Sequence, residues 1–372
     1  MLTISPGRSD FLNFVRWVSA GLVLVGHAEM ISRMLIEEGV DRSNAAFTYL
    51  SSHSHIAVMF FFVLSGYLIG YAVHRNQERA AGYGFREYFL DRWSRIYSVL
   101  IAAILLTLVL DGIGQSFSAN YRLAQHIPQD AFGVRLLVNL FSLQGLLGHR
   151  VQLGSNPALW SIGYEFCYYM TFGLIFFRRA LFRKRAPFLA VMVVIALLAG
   201  MHMAAYFVIW MLGYGAFRLY HVRGMRFDGR FVIPLVIAIV ITNHYLAFNN
   251  VFNVPEFVAD TVIALLFGAM LLCDLGEKKT ILAGFNTYMA DFSYSIYAYH
   301  MPIIFFWYSM APQKLHLSLG AVESGLLVMA LCLVGARLLY HLSESRRGGY
   351  RVAAARVLER ISSLSPIRPK AR

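Results

Sequence analysis

Residues 14–31 read Phe14-Val15-Arg16-Trp17-Val18-Ser19-Ala20-Gly21-Leu22-Val23-Leu24-Val25-Gly26-His27-Ala28-Glu29-Met30-Ile31. A bilayer-crossing helix needs about 20 mostly apolar residues, and this stretch nearly reaches that length while carrying an arginine and a histidine. No small-residue cleavage site follows it, so it is expected to stay in the membrane and not to act as a cleaved leader. Arg16 and His27 are eleven residues apart. On a helix that is about 16 Å along the axis and close to three turns, so both project toward nearly the same face. With the N-terminus inside, Arg16 lies near the cytoplasmic end and His27 in the outer third.

Working outward, nine further stretches qualify as spans: 56–74, 93–111, 158–177, 187–203, 205–220, 231–248, 258–275, 293–311 and 320–341. The expected fold is therefore all-α, a polytopic membrane helix bundle of about ten transmembrane helices. Composition agrees. Of 372 residues, 58% are hydrophobic and 14% charged, where a soluble domain carries about 25% charged residues. The weakest division is between the fifth and sixth spans, where a short uncharged turn near Ala204 separates them. The basic residues decide it. With ten spans and both termini cytoplasmic, 26 of the 33 Lys and Arg residues fall on inner segments and six on outer ones, with Arg16 inside a span. Nine spans would break this positive-inside alternation after the fifth helix. The net charge of +13 thus reads as basic cytoplasmic loops and not as a nucleic-acid surface.

Cys167, Cys273 and Cys332 are odd in number and form no CxxC pair, so they read as small buried hydrophobes. The long outer loop, residues 112–157, contains an amphipathic stretch, Phe132–Leu147, suited to lie on the membrane or cover a cavity. The Arg-rich end after Ser343 is expected to be solvated or to rest on anionic lipid.

A charged group in hydrocarbon costs about 2.5–3.5 kcal/mol on insertion scales, so ionisable residues inside spans are functional candidates. Arg16 is either a snorkelling anchor or a site residue. His27 is either a helix–helix hydrogen bond or a general base suited to neutral pH. Glu165, in Trp160-Ser161-Ile162-Gly163-Tyr164-Glu165-Phe166, is in the outer half of its span and could meet His27 in depth, fixing its tautomer; the alternative is a structural ion pair. Arg92 and Arg95 share one helix face at a cytoplasmic mouth, either as phosphate ligands or as topological anchors. Tyr297 and His300 precede Pro302, which should free backbone carbonyls that need a partner or a cavity; His300 is either a site residue or a partner for that kink. His126-Ile127-Pro128-Gln129-Asp130 matches an HxxxD pattern by chance, Gly66-x-x-x-Gly70 reads as a helix-packing motif, and no Walker A, dinucleotide or HExxH metal motif is present.

Five features occur in family order over about 300 residues. They are Arg16 with ten residues to His27; Phe61-Phe62-Val63-Leu64-Ser65-Gly66-Tyr67-Leu68-Ile69; Arg92 and Arg95 before Ile96-Tyr97; Trp160-Ser161 with Glu165; and Ser293-Tyr294-Ser295-Ile296-Tyr297 with His300 and Pro302. In this the chain resembles the acyltransferase-3 family of integral membrane O-acyltransferases. The resemblance implies a transmembrane domain over residues 1–345, a basic cytoplasmic tail at 346–372, and a multi-pass protein of the bacterial inner membrane. It implies an acyl-CoA donor, usually acetyl-CoA, with no permanently bound cofactor, and an acceptor hydroxyl on a saccharide such as exopolysaccharide or lipopolysaccharide. Membrane lipid is a further partner and nucleic acid is not. On this reading His27 and Glu165 are catalytic, while Arg16, Arg92, Arg95, Tyr297 and His300 bind substrate or acyl-CoA. Thioester-to-ester transfer needs no metal. The alternative is a transporter or flippase of a lipid-linked saccharide, which the intramembrane ionisable residues and Pro302 would also suit; the inverted repeats usual in that class are not evident.

Overall fold

The computed structural model describes residues 2–35, 45–117, 128, 130–148, 150–310 and 313–364. Its architecture is helical throughout, and among the described residues the only extended pairing is two isolated bridges. In chain order the helices are α1 (Pro6–Leu35), α2 (Ala45–Ser51), α3 (Ser54–Arg79), α4 (Phe85–Phe117), α5 (Phe132–Leu140), α6 (Leu159–Phe176), α7 (Arg178–Leu181), α8 (Arg185–Phe217), α9 (Val232–Thr242), α10 (Glu256–Met270), α11 (Ala283–Asp291), α12 (Ser293–Met310), α13 (Gln313–Leu342) and α14 (Arg347–Leu364). The ten expected stretches are helical over most of their length, the fifth lying within α8 and the sixth mostly so, and 258–275 helical only to Met270. His126 of the chance HxxxD match lies outside the described residues.

Six helical segments are long and apolar enough to cross a membrane: Pro6–Ile31, Ala45–Arg79, Phe85–Phe117, Arg185–Val222, Gly229–Leu246 and Val322–Ile361. The protein is a membrane protein. The helices that fall short do so for a physical reason. In α12 every residue from Ser293 to Pro302 is buried, so this helix faces protein on all sides and tolerates serines, tyrosines and a histidine that a lipid-facing helix would not. The segment Arg185–Val222 spans 38 residues, about 57 Å at 1.5 Å per residue and nearly twice a hydrocarbon core. It is interrupted at Gly200 (φ 68°, ψ 170°), a conformation suited to glycine. The break between the fifth and sixth stretches therefore falls at Gly200 and not near Ala204.

α3 and α8 cross at near-backbone contact. A Cβ at Gly213 would lie 1.8 Å from the carbonyl oxygen of Val63, and one at Gly66 would lie 2.1 Å from that of Trp210. Gly66 and Gly70 thus act as the packing motif that their spacing indicates. α1 packs on α3, α11, α12 and α13, which turns its Arg16–His27 face into the bundle. Its start is pinned by Arg8, which is buried and donates to the carbonyls of Leu271 and Cys273, each at 2.6 Å. All three cysteines are free; Cys273 and Cys332 are buried and Cys167 half-buried.

The C-terminal segment, expected to be solvated or to rest on anionic lipid, is helical and leaves most of its residues exposed. Residues Arg347–Leu364 form α14, held on α4 by Arg351 Nε donating to Asp91 Oδ1 at 2.7 Å and Arg86 Nη2 donating to Glu359 Oε1 at 3.0 Å. Residues 365–372 lie outside the described residues.

The α3–α8 crossing yields a test. Gly213→Leu drives a side chain into a backbone carbonyl and should destabilise the fold by about 3 kcal/mol or more, whereas Gly21→Ala, whose Cβ meets nothing within 4 Å, should be silent. Thermal unfolding followed by size-exclusion fluorescence distinguishes them. A Gly213→Leu protein that melts like wild type would contradict the crossing.

Candidate active site

Arg16 from α1, Arg75 from α3, Arg92 and Arg95 from α4, and Arg347 from α14 line one cavity of about 480 Å³. Arg92 and Arg95 reach it together because a spacing of three puts them on one face of α4. Among the described residues Glu165 is the only carboxylate lining the cavity. Among the described residues, no carboxylate lies within 4.0 Å of any of the five guanidinium groups. Three of them lie against aromatic faces. Arg92 lies 5.9 Å from the ring centres of Tyr88 and Tyr169, Arg95 5.5 Å from Tyr294, and Arg75 5.8 Å from Tyr71. The Nε atoms of Arg75 and Arg92 are buried without a partner. Cation–π contacts orient a guanidinium without neutralising it. The cavity is consequently a positively charged receptacle with its hydrogen-bonding forks largely unspent. The far wall is apolar, formed by residues such as Phe61, Phe62, Leu68 and Ile162.

Glu165 does not meet His27. Its Oε1 accepts from Ser65 Oγ at 3.0 Å and from the Tyr169 hydroxyl, one turn along the same helix; Ser65 in turn accepts from Trp210 Nε1 at 3.2 Å. A carboxylate in a low-dielectric bundle is better stabilised by hydroxyl donors and nearby guanidinium charge than by a neutral ring. The expected Glu165–His27 pair is therefore replaced by a Glu165–Tyr169–Ser65 cluster in the arginine cavity.

His27 lines a second cavity, about 210 Å³, with Asn139, Arg150, Gln152, Asn156 and Trp160. Asn139 lies on α5, Trp160 on α6, and the others in the segment that joins them, and the two cavities hold the two ends of the Arg16–His27 face. The partner of His27 is His300: Nδ1 of the former lies 2.7 Å from Nε2 of the latter, with the rings 16° from parallel. The proton positions follow from what His300 touches next. Its Nδ1 lies 2.6 Å from the carbonyl oxygen of Tyr297, which only accepts, so His300 Nδ1 carries the hydrogen. With both rings uncharged, His300 Nε2 is then an acceptor and His27 Nδ1 the donor. The lone pair of His27 is left on Nε2. His300 thus fixes the tautomer of His27, the task expected of Glu165.

The wall between the cavities is a second hydroxyl pair. Tyr297 and Ser161 both line the arginine cavity, and their oxygens are 2.5 Å apart. The Tyr297 hydroxyl also lies 3.3 Å from the carbonyl oxygen of Ala158, which lines the His27 cavity. Of the residues singled out from sequence, Arg16, Arg92, Arg95, Glu165 and Tyr297 gather at one cavity, and His27 and His300 pair at the other. Arg75, Arg347 and Tyr169 escaped notice, and Ser65 and Ser161, quoted within motifs, were given no role of their own. Tyr169 carried a signal, its spacing of four from Glu165; Arg75 and Arg347 were indistinguishable from ordinary cytoplasmic basic residues.

A separate group, His55, Glu256 and Asp260, brings donor atoms within 4.8 Å of one another and could hold a metal ion. Here His55 Nε2 pairs with Asp260 Oδ1 at 2.9 Å, and the Tyr206 hydroxyl donates to Asp260 Oδ2 at 2.5 Å.

The profile of an acyltransferase domain matches residues 9–341, nearly the whole chain and all of the elements just described except α14, the first three residues of α1 and the last residue of α13. The chain belongs to the acyltransferase-3 family. Over 170 residues it is also 28% identical to an O-acetyl transferase of Shigella phage Sf6, a match that spans 44% of this chain and 45% of the phage protein. No solved structure matches. The chain therefore carries an acyltransferase domain, which speaks against the transporter reading.

The His27–His300 contact can be tested directly on this acyltransferase. His300→Phe removes the acceptor that holds His27 Nδ1–H, and initial rates of acyl transfer should fall by about 10²- to 10⁴-fold, the range of general-base contributions. A folded variant with wild-type rates would show that the second imidazole does not set the first.

Proposed function

We propose that this acyltransferase carries an acyl group, normally acetyl, from acyl-CoA on the cytoplasmic side to a hydroxyl of a saccharide on the outer side of a bacterial inner membrane. The observation that carries this reading is the pairing of an arginine-rich, carboxylate-poor cavity with a tautomer-fixed imidazole at opposite ends of one face of α1. The phage relative supports an acetyl group and an oxygen acceptor through its name. Ten spans with both termini inside, the arrangement favoured by the basic residues, would put the arginine cavity at the cytosol and the His27 cavity outside.

The arginines suit the donor because CoA is rich in phosphate and the planar forks of Arg bind phosphate oxygens in pairs. The apolar wall of the same cavity would take the pantetheine arm. Tyr297 and Ser161 then stand at the passage through which the thioester reaches His27. His27 Nε2 takes the proton of the acceptor hydroxyl; the oxygen attacks the thioester carbonyl; the C–O ester bond forms as the C–S bond breaks; and the proton ends on the departing CoA sulfur. Glu165, held by Tyr169 and Ser65, balances part of the arginine charge in the donor cavity. None of these steps needs a metal.

Purified protein, radiolabelled acetyl-CoA and membrane glycans test the reading. Wild type should transfer label to glycan and slowly release CoA, and His27→Ala should do neither while remaining folded. Arg92→Ala and Arg95→Ala should each raise the KM for acetyl-CoA by about 10- to 100-fold, as loss of a charged hydrogen bond implies. Full transfer by His27→Ala, or an unchanged KM in both arginine variants, would overturn the assignment.

A further inference from the structure

Two buried amides in the His27 cavity are built in a way that the donor chemistry leaves unexplained. Pro302 lacks the N–H that would bind the carbonyl four residues earlier, which is that of Ala298. Asn156 fills that place: its Nδ2 lies 3.0 Å from Ala298 O and 3.3 Å from Thr107 Oγ1. Asn139, on α5, has its Nδ2 2.9 Å from both Arg135 O and Val151 O. Both side chains belong to fully buried residues. Each amide nitrogen faces a backbone carbonyl, which can only accept, so the two ends of each amide are fixed; turning either group over would set oxygen against oxygen. What remains is Oδ1 of Asn139 and Oδ1 of Asn156, both buried and both without a hydrogen-bond partner among the described residues. Both residues line the same cavity as His27.

Buried acceptors are rarely left open, and two of them beside a base define what the cavity recognises. We propose that Asn139 and Asn156 form the acceptor subsite, each accepting a hydrogen bond from a hydroxyl of one saccharide ring while a third hydroxyl faces Nε2 of His27. This rests on the reading of His27 as the base for acyl transfer. The requirement is for several O–H donors on one small body, which selects a polyol over a simple alcohol. Size agrees. The cavity is about 210 Å³, the space of roughly seven waters and below the 300–1,000 Å³ of drug-sized sites, so it takes one ring, the reacting residue of any longer glycan. Trp160, also in the lining, offers an aromatic face, and Arg150, 4.3 Å over that indole and exposed, marks the rim.

The experiment measures acetyl transfer from acetyl-CoA by purified full-length protein to two kinds of probe, cyclohexanol and a set of methyl hexopyranosides (gluco, galacto and manno) with their monodeoxy analogues. Wild type should acylate at least one glycoside with kcat/KM about 100-fold or more above cyclohexanol, and loss of one recognised hydroxyl should erase most of that advantage. In Asn139→Ala and Asn156→Ala the ratio of glycoside to cyclohexanol should fall toward one. The ratio is internal to each preparation, and the deoxy series on wild type gives the answer even if a variant does not fold. Wild type that hydrolyses acetyl-CoA yet prefers no glycoside over cyclohexanol, or active variants that keep the full preference, would overturn the subsite. Wild type that neither hydrolyses acetyl-CoA nor transfers acetyl would instead overturn the underlying reading of the enzyme.

Discussion

A hydrogen bond of 2.7 Å joins His27 Nδ1 on α1 to His300 Nε2 on α12, and the chemistry of the bundle depends on the direction in which it runs. The Tyr297 carbonyl beneath His300 decides it, because a carbonyl can only accept. A backbone atom of α12 thereby determines that His27 presents a lone pair and not an N–H to its cavity. Neither ring needs a carboxylate partner for this. The usual carboxylate–imidazole arrangement is replaced by a chain of two imidazoles and a peptide oxygen, all within a helix interior where an ionised group would be costly.

The same helix shapes the rest of the site. Pro302 leaves Ala298 O without its helical partner, and Asn156 supplies one. Tyr297 reaches the other way, to Ser161, and separates the His27 cavity from the arginine cavity. One turn and a half of α12 thus anchors His27, the amide of Asn156 and the partition. At the far end, Arg75, Arg92 and Arg95 are placed against tyrosine faces, and among the described residues no carboxylate lies within 4.0 Å of the cavity's guanidinium groups. Concentrated positive charge inside a bundle is destabilising by itself.

Much of this was legible in the sequence, and the limits have physical causes. The spans were readable because lipid demands long apolar helices, and even the uncertain division near Ala204 had a real counterpart at Gly200. Arg16, Arg92 and Arg95 were readable because charge inside or at the edge of a span is costly. The His27–Glu165 pairing was not: two residues at similar depth on different helices need not face each other, and rotation of α6 about its axis is set by packing that no single-chain pattern encodes. His300 was visible as a candidate but its partner was not. Asn139 and Asn156 gave no signal, since a loop asparagine is ordinary until its amide is found buried and half-satisfied. The C-terminal helix was missed because its composition suits a solvated tail equally well; only Asp91 and Glu359 reveal that it docks.

The central claim is that the arginine cavity and the imidazole pair work from opposite sides of one membrane. Proteoliposomes test it most directly, with labelled acetyl-CoA sealed on one side and a membrane-impermeant glycoside acceptor supplied only on the other. The account predicts that label crosses to the glycoside in one orientation of the protein, and that His27→Ala abolishes the crossing. Transfer that occurs only when donor and acceptor share a compartment would contradict it.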